Sequence, residues 1–223
     1  MHIIHNWSEF VPQGSVDYAV DIGTRDGLRS KHLSTLSRFQ TFEFLGIDIH
    51  DEHFSNSMTY FLADWKHPPT FANYVEILFP GPQLIEDLTV GGYSSQVIHM
   101  MRPGSILHYI SETIEKYSSA RDMHNEFLGQ GLVPLSRDES QNLFTDLGLK
   151  VGMNSGTTIG RITTHLLRPF LPEFDLEQEG EVYSWNDCFG LNTSFSDITD
   201  YCMQIAKGKY KPLEVLGFVL KKP

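Results

Sequence analysis

The sequence predicts an α/β fold built on a doubly wound, mostly parallel sheet, and three features carry that prediction. Short apolar runs alternate with segments of helical periodicity, Gly and Pro punctuate the links, and acids close several of the runs. Repetition of strand, helix and strand is the pattern of a parallel sheet wrapped by helices. Strands covered on both faces read as near-continuous apolar runs instead of alternating ones.

Residues 16–22, with Tyr18, Val20 and Ile22, form the first such run and stop at Gly23. Leu28, His32, Leu33, Leu36 and Phe39 then recur at helical spacing. Residues 42–49 and 59–63 read as the second and third strands. Phe71, Val75, Leu78 and Phe79 share one helical face, so a helix is expected over 71–79, ending before Pro80-Gly81. Residues 84–88 then read as the fourth strand, 93–101 as a helix, and 105–110 as the fifth strand. A helix over 136–147 has Ser136 as N-cap and Glu139 at the capping-box position. Residues 149–151 and 215–220 read as the last strands. Between them, residues 152–212 break the alternation and are rich in aromatics and acids. They are expected to form a cap inserted into a single domain spanning residues 1–223.

The chain carries 17 Lys plus Arg against 28 Asp plus Glu, a net charge of −11. Tracking a phosphate backbone needs positive potential, so nucleic acid is disfavoured and a small-molecule substrate expected. Cys188 and Cys202 are too few for a disulfide framework or an all-thiolate metal site. No apolar run approaches the roughly 18 residues of a membrane span. The opening MHIIHNWSEF lacks the basic and apolar regions of a signal peptide. A soluble cytoplasmic protein with no membrane partner is expected; a homodimer is compatible with the sequence.

The most informative stretch is AVDIGTRDGLRS, residues 19–30. A strand ends at Asp21, a turn begins at Gly23, and a helix starts near Gly27 or Leu28. Glycine permits positive φ and close approach of a ligand, and a helix start offers N–H groups to an anion. A dinucleotide fingerprint needs glycine at 23, 25 and 28, where this chain has Gly23, Arg25 and Leu28. No Gly-Lys-Ser/Thr closes a phosphate loop either. An ordinary strand-to-helix turn remains the structural alternative. Two more acids sit at expected strand tips: Asp48, placed to accept both hydroxyls of a ribose, and Asp64, placed to accept an exocyclic amine. Ile49 and Trp65 beside them offer apolar contact to a ring.

In Asp21, Gly23, Gly27, Asp48 and Asp64 the sequence resembles the class I S-adenosylmethionine-dependent methyltransferases. Arg25 stands where the family's first motif has its middle glycine. The resemblance implies a Rossmann-like, mostly parallel seven-stranded sheet ending in an antiparallel hairpin, and S-adenosylmethionine as cofactor. It places the turn of Asp21, Gly23, Thr24, Arg25 and Gly27 against the methionine part. It gives Asp48 the ribose and Asp64 the adenine amine, with Ile49 and Trp65 alongside. Met101-Arg102-Pro103-Gly104 resembles the family's turn before the fifth strand.

Methyl transfer from a sulfonium is an in-line displacement helped mainly by proximity, although a hydroxyl acceptor also needs a base or a metal. Glu86 and Asp87, at the end of the expected fourth strand, are candidates to face the methyl group, and Asp87 equally fits a helix cap. His108 is a further candidate base; a histidine inside an apolar strand also fits a satisfied core residue. Asp48, His50, Asp51, Glu52 and His53 are metal-ligand types, yet read better as a solvated loop, and no metal site is assigned. The run 173–187 holds six carboxylates and no Lys or Arg, consistent with a solvated face or with a cap selecting a cationic or polar substrate. The expected activity is methyl transfer to a small molecule. Alternatives are a noncatalytic cofactor-binding module, a protein-modifying methyltransferase and a dinucleotide-dependent oxidoreductase.

Overall fold

The computed structural model describes residues 2–24, 30, 33–48, 59–62, 67–78, 80–111, 117–146, 150–151, 160–163 and 214–223. Its strands are β1 (His2–Ile4), β2 (Asp17–Ile22), β3 (Phe42–Asp48), β4 (Thr59–Leu62), β5 (Ala72–Leu78), β6 (Met101–Ser111), β7 (Val133–Pro134), β8 (Lys150–Val151), β9 (Gly160–Thr163) and β10 (Glu214–Lys221). They form one sheet in the order β1-β4-β3-β2-β5-β6-β10-β9-β8, with β7 paired to β10. The ladders from β1 across to β6 are parallel. Those of β10 with β6 and β9, and of β8 with β9, are antiparallel. The expected mostly parallel sheet with an antiparallel C-terminal strand is therefore present, with ten strands among the described residues in place of seven.

Among the described residues the helices are α1 (Pro82–Thr89), α2 (Tyr93–Met100), α3 (Tyr117–Gly129) and α4 (Arg137–Asp146). Two 3₁₀ turns cover Trp7–Glu9 and Ser37–Phe39. On one face of the sheet, Tyr18, Val20, Ile22, Val75, Ile77, Leu107 and Tyr109 bury against Leu88 of α1, Val97 and Met100 of α2, and Met123 and Phe127 of α3. Each fully buried side chain of this size contributes roughly 1.5–3 kcal/mol. The other face buries Ala19, Phe39 and Tyr74, with the Phe39 and Tyr74 rings 4.9 Å apart. No helix among the described residues is long and apolar enough to cross a membrane.

Around the fourth strand two elements exchange type. Residues 72–78, expected as helix, form β5; residues 84–88, expected as the fourth strand, lie inside α1. An apolar run this short satisfies both periods, and β5 is buried on both faces, which removes the alternation that marks a strand. In α1, Pro82 stands at the first helical position behind Gly81, where its missing N–H and fixed φ cost nothing. A strand, β9, also falls inside residues 152–212; the rest of that expected cap lies outside the described residues.

The chain end is fastened locally. The Lys222 ammonium, lowered from its ordinary range by burial, donates to the Ile98 and Met101 carbonyls at 2.8 Å each and so caps α2. The expected capping box of α4 is formed: Glu139 N–H donates to Ser136 Oγ at 3.2 Å, and Ser136 N–H donates to Glu139 Oε2 at 2.9 Å. The bond from the Ser136 backbone is the main cause holding the Glu139 carboxyl below its ordinary range. Ser136→Ala leaves one N–H of the first turn unpaired and is expected to cost about 1 kcal/mol, read as a lower urea midpoint at unchanged m-value.

Candidate functional site

Strands β2 to β6 end on one side of the sheet. From β2 the chain moves outward through β3 to β4, then crosses back to place β5 on the other side of β2. The switch point lies between β2 and β5, and ligands of open α/β sheets bind in the crevice such a reversal leaves at the carboxyl edge.

Gly23 follows β2 at this point with φ +76°, a conformation that side-chain-bearing residues rarely adopt. Its N–H still donates to Ile47 O at 2.7 Å, which ties the turn to β3. A Cβ at Gly23 would come within 3.2 Å of Leu84 Cδ2, in the first turn of α1. Asp21, 4% exposed, turns its carboxylate into this turn. Its Oδ2 accepts from Thr24 Oγ1 at 2.8 Å and from Ser30 Oγ at 3.1 Å. Both hydroxyl residues are buried, so the acid holds both sides of the turn together. At the next strand tip, half-buried Asp48 closes β3 and is the Cα partner of Leu62, the last residue of β4.

The structure thus brings Asp21, Gly23, Thr24 and Asp48 to one edge. Arg25, Gly27, Ile49, Asp64 and Trp65 lie outside the described residues, as do His50, Asp51, Glu52 and His53. Among the described residues no group of three or more His, Cys, Asp or Glu is placed to hold a metal ion.

The catalytic candidates are placed differently from expectation. Glu86 and Asp87 do not end a strand; they lie past the first turn of α1, Glu86 exposed and Asp87 Oδ1 accepting from Gln83 Nε2 at 3.1 Å. The tip of the fourth parallel strand is instead Leu78, followed by residues 79–81. Gly91 and Gly92 link α1 to α2. His108 is fully buried within β6. Its Nδ1 lies 2.8 Å from Tyr74 Oη and 3.1 Å from Glu76 Oε2, so it is a core residue and does not line the edge. His99 is exposed in the last turn of α2. His124 packs on Phe218 at 5.0 Å, and burial holds its imidazole below its ordinary value.

Sequence reading missed Tyr74 and Glu76. Glu76 is the one charged residue of β5, flanked by Val75 and Ile77. A lone acid in an apolar run is the signal that could have singled it out.

No family model matches the sequence, and no curated protein matches it. Solved structures do match. One is a 30S ribosomal A1408 methyltransferase from an uncultured bacterium, 15% identical, with 93% of this chain and 88% of that chain covered at a TM-score of 0.45. Another is phosphoethanolamine N-methyltransferase 2 of Haemonchus contortus in complex with S-adenosyl-L-methionine, 14% identical, covering 97% of this chain and 51% of that one at a TM-score of 0.45. A third is the cyclase SpnF, 11% identical, covering 93% and 76% at a TM-score of 0.49.

The strand order and the antiparallel C-terminal strands agree with the sheet that the resemblance in sequence implied. The expectation of a small-molecule substrate, with nucleic acid disfavoured, does not stand. A ribosomal methyltransferase is among the structures this chain matches. The physical flaw lies in using the net charge of −11, which sums over the whole surface. Phosphate contacts respond to the potential within a Debye length, roughly 8–10 Å, of the binding face.

Proposed function

We propose that the chain binds S-adenosylmethionine at the carboxyl edge of its sheet and transfers the methyl group. The observation that carries this reading is the turn at Gly23, held at positive φ by Asp21 through Thr24 and Ser30, with Asp48 at the neighbouring strand tip. On this reading Gly23, Thr24, Arg25 and Gly27 lie along the methionine part, and Asp21 shapes their turn. Asp48 accepts the ribose hydroxyls, while Asp64, Ile49 and Trp65 surround the adenine. Transfer rests on holding sulfonium and acceptor in line, and none of Glu86, Asp87 or His108 is assigned as a base.

The connection between the last two strands supports a cap over this edge. Thr163 ends β9 as the Cα partner of Glu214, which opens β10; two residues on, Leu216 partners Ser111, the last residue of β6. Thr163 and Glu214 therefore both lie at the end of the sheet where β2 to β6 finish, and on this reading the residues between them in sequence select the acceptor.

Calorimetric titration with S-adenosylmethionine tests the binding, with saturation expected well below millimolar; no binding at millimolar cofactor overturns the reading. Asp48→Ala removes two charge-assisted bonds, each on the order of 1.5–3 kcal/mol, and is expected to weaken binding at least tenfold. Unchanged affinity in that variant would remove the ribose assignment. Transfer of labelled methyl to 30S subunits, to protein and to small acceptors separates an active enzyme from a noncatalytic module.

A further inference from the structure

The chain between β4 and β5 passes through a conformation that its sequence does not favour. Among the described residues one non-glycine, His67, has positive φ, at 58°. A residue with a Cβ seldom enters this left-handed region. Pro68 follows, and a residue before proline is normally pushed toward extended backbone. His67 departs from both preferences. Backbone held away from its preferred regions persists where the surroundings fix it, and such places cluster at binding and catalytic sites.

The surroundings here are supplied by α2. The His67 N–H donates to Gln96 Oε1 at 3.2 Å. Three residues on, Thr70 Oγ1 donates to the His99 carbonyl at 2.8 Å, and Phe71 N–H donates to the Met100 carbonyl at 2.7 Å. These last two bonds satisfy carbonyls that the end of α2 leaves without helical partners. They secure the entry into β5 whatever conformation His67 takes. Pro68 is buried but has no N–H to contribute. Among the described residues, the half-buried Gln96 is the one that bonds His67 itself.

We propose that Gln96 is a positioning residue for the adenine side of the cofactor site: by holding His67 in its left-handed conformation, it sets the path of the chain next to Asp64 and Trp65. The inference rests on the cofactor reading, which gives those two residues the adenine. Asp64 precedes His67 by three residues and Trp65 by two, a reach of at most roughly 10 Å. That is too short for their placement to be independent of the backbone direction at His67. A side chain that only fills space on α2 would tolerate any residue of similar size. A bond to strained backbone demands an oxygen at position 96, and the demand lapses once the strain is gone. Gln96→Leu keeps the bulk and removes the acceptor, whereas Gln96→Glu keeps the acceptor. His67→Gly takes positive φ without a Cβ, so its conformation no longer needs the bond.

The dissociation constant for S-adenosylmethionine is compared across wild type, Gln96→Leu, Gln96→Glu and the double variant His67→Gly/Gln96→Leu. Amide hydrogen exchange at His67 is followed in the first three. Gln96→Leu is expected to weaken binding about fivefold, the worth of one ordinary hydrogen bond, and to speed exchange at His67. Gln96→Glu is expected within about twofold of wild type in both readouts, and the double variant within about twofold in binding. Wild-type affinity in Gln96→Leu overturns the proposal. So does a Gln96→Glu variant as impaired as Gln96→Leu, or a double variant that recovers nothing. Weaker binding with unchanged exchange at His67 places the effect elsewhere and overturns it too. If wild type binds no cofactor at millimolar concentration, the cofactor reading fails and this role falls with it; tight binding in wild type and Gln96→Leu alike overturns this role alone. Should Gln96→Leu fail to fold, Gln96→Ala, which also lacks the acceptor, replaces it in every comparison.

Discussion

Gly23→Val is expected to destabilise the chain by about 2–3 kcal/mol and to abolish measurable binding of S-adenosylmethionine at micromolar cofactor. Two costs combine. The backbone at Gly23 holds φ +76°, and a β-branched residue forced there carries strain on the order of 1–3 kcal/mol. The added Cβ would also sit 3.2 Å from Leu84 Cδ2, and a valine adds two methyl groups beyond it. Relief by rotating the turn is resisted because Gly23 N–H is bonded to Ile47 O at 2.7 Å. Leu84 can yield by a few tenths of an ångström but belongs to α1, whose Leu88 is buried in the main core. Urea unfolding and calorimetric titration check the two parts separately. A midpoint within the equivalent of about 0.5 kcal/mol of wild type would show that the turn relaxes at no cost. A destabilised variant that still binds tightly would remove Gly23 from the cofactor site.

The turn was legible in the sequence because its parts are contiguous. A strand closed by Asp21, a glycine two residues later and a helix-compatible segment beyond can be read within a dozen residues. The ends of β3 at Asp48 and β4 at Leu62 lie one residue short of the ends read from two short runs, 42–49 and 59–63. Around the fourth strand the reading failed, because Ala72–Leu78 is buried on both faces and its apolar positions satisfy a helical period as well as an extended one. That single exchange carried Glu86 and Asp87 to a strand tip they do not occupy. The row Asp21, Glu76 and His108 was not legible at all. Its members are separated by dozens of positions, and only the register of β2, β5 and β6 brings them together. The acceptor was misjudged for a different reason: total charge records no arrangement.

Asp21 offers the second large effect, and the way it divides is informative. Asp21→Ala removes the shared acceptor of Thr24 Oγ1 and Ser30 Oγ, whose residues are 6% and 1% exposed. Each hydroxyl left unpaired in a buried place costs roughly 1–3 kcal/mol, so a loss of about 3 kcal/mol is expected from the pair. Asp21→Asn keeps an oxygen near the Oδ2 position and loses only the charge. Losing that charge also removes the cost of burying it, which offsets part of the weaker bonding. The asparagine variant is then expected within about 1 kcal/mol of wild type. Urea midpoints for the three proteins give the comparison. Equal losses in Asn and Ala would mean that Asp21 stabilises the turn through its charge, and that burying the charge imposes no net penalty. A small loss in Asn beside a large one in Ala would place the stabilising contribution in the two hydroxyl bonds. The carboxylate charge would then be held in the turn at some cost, ready for a cationic ligand to offset.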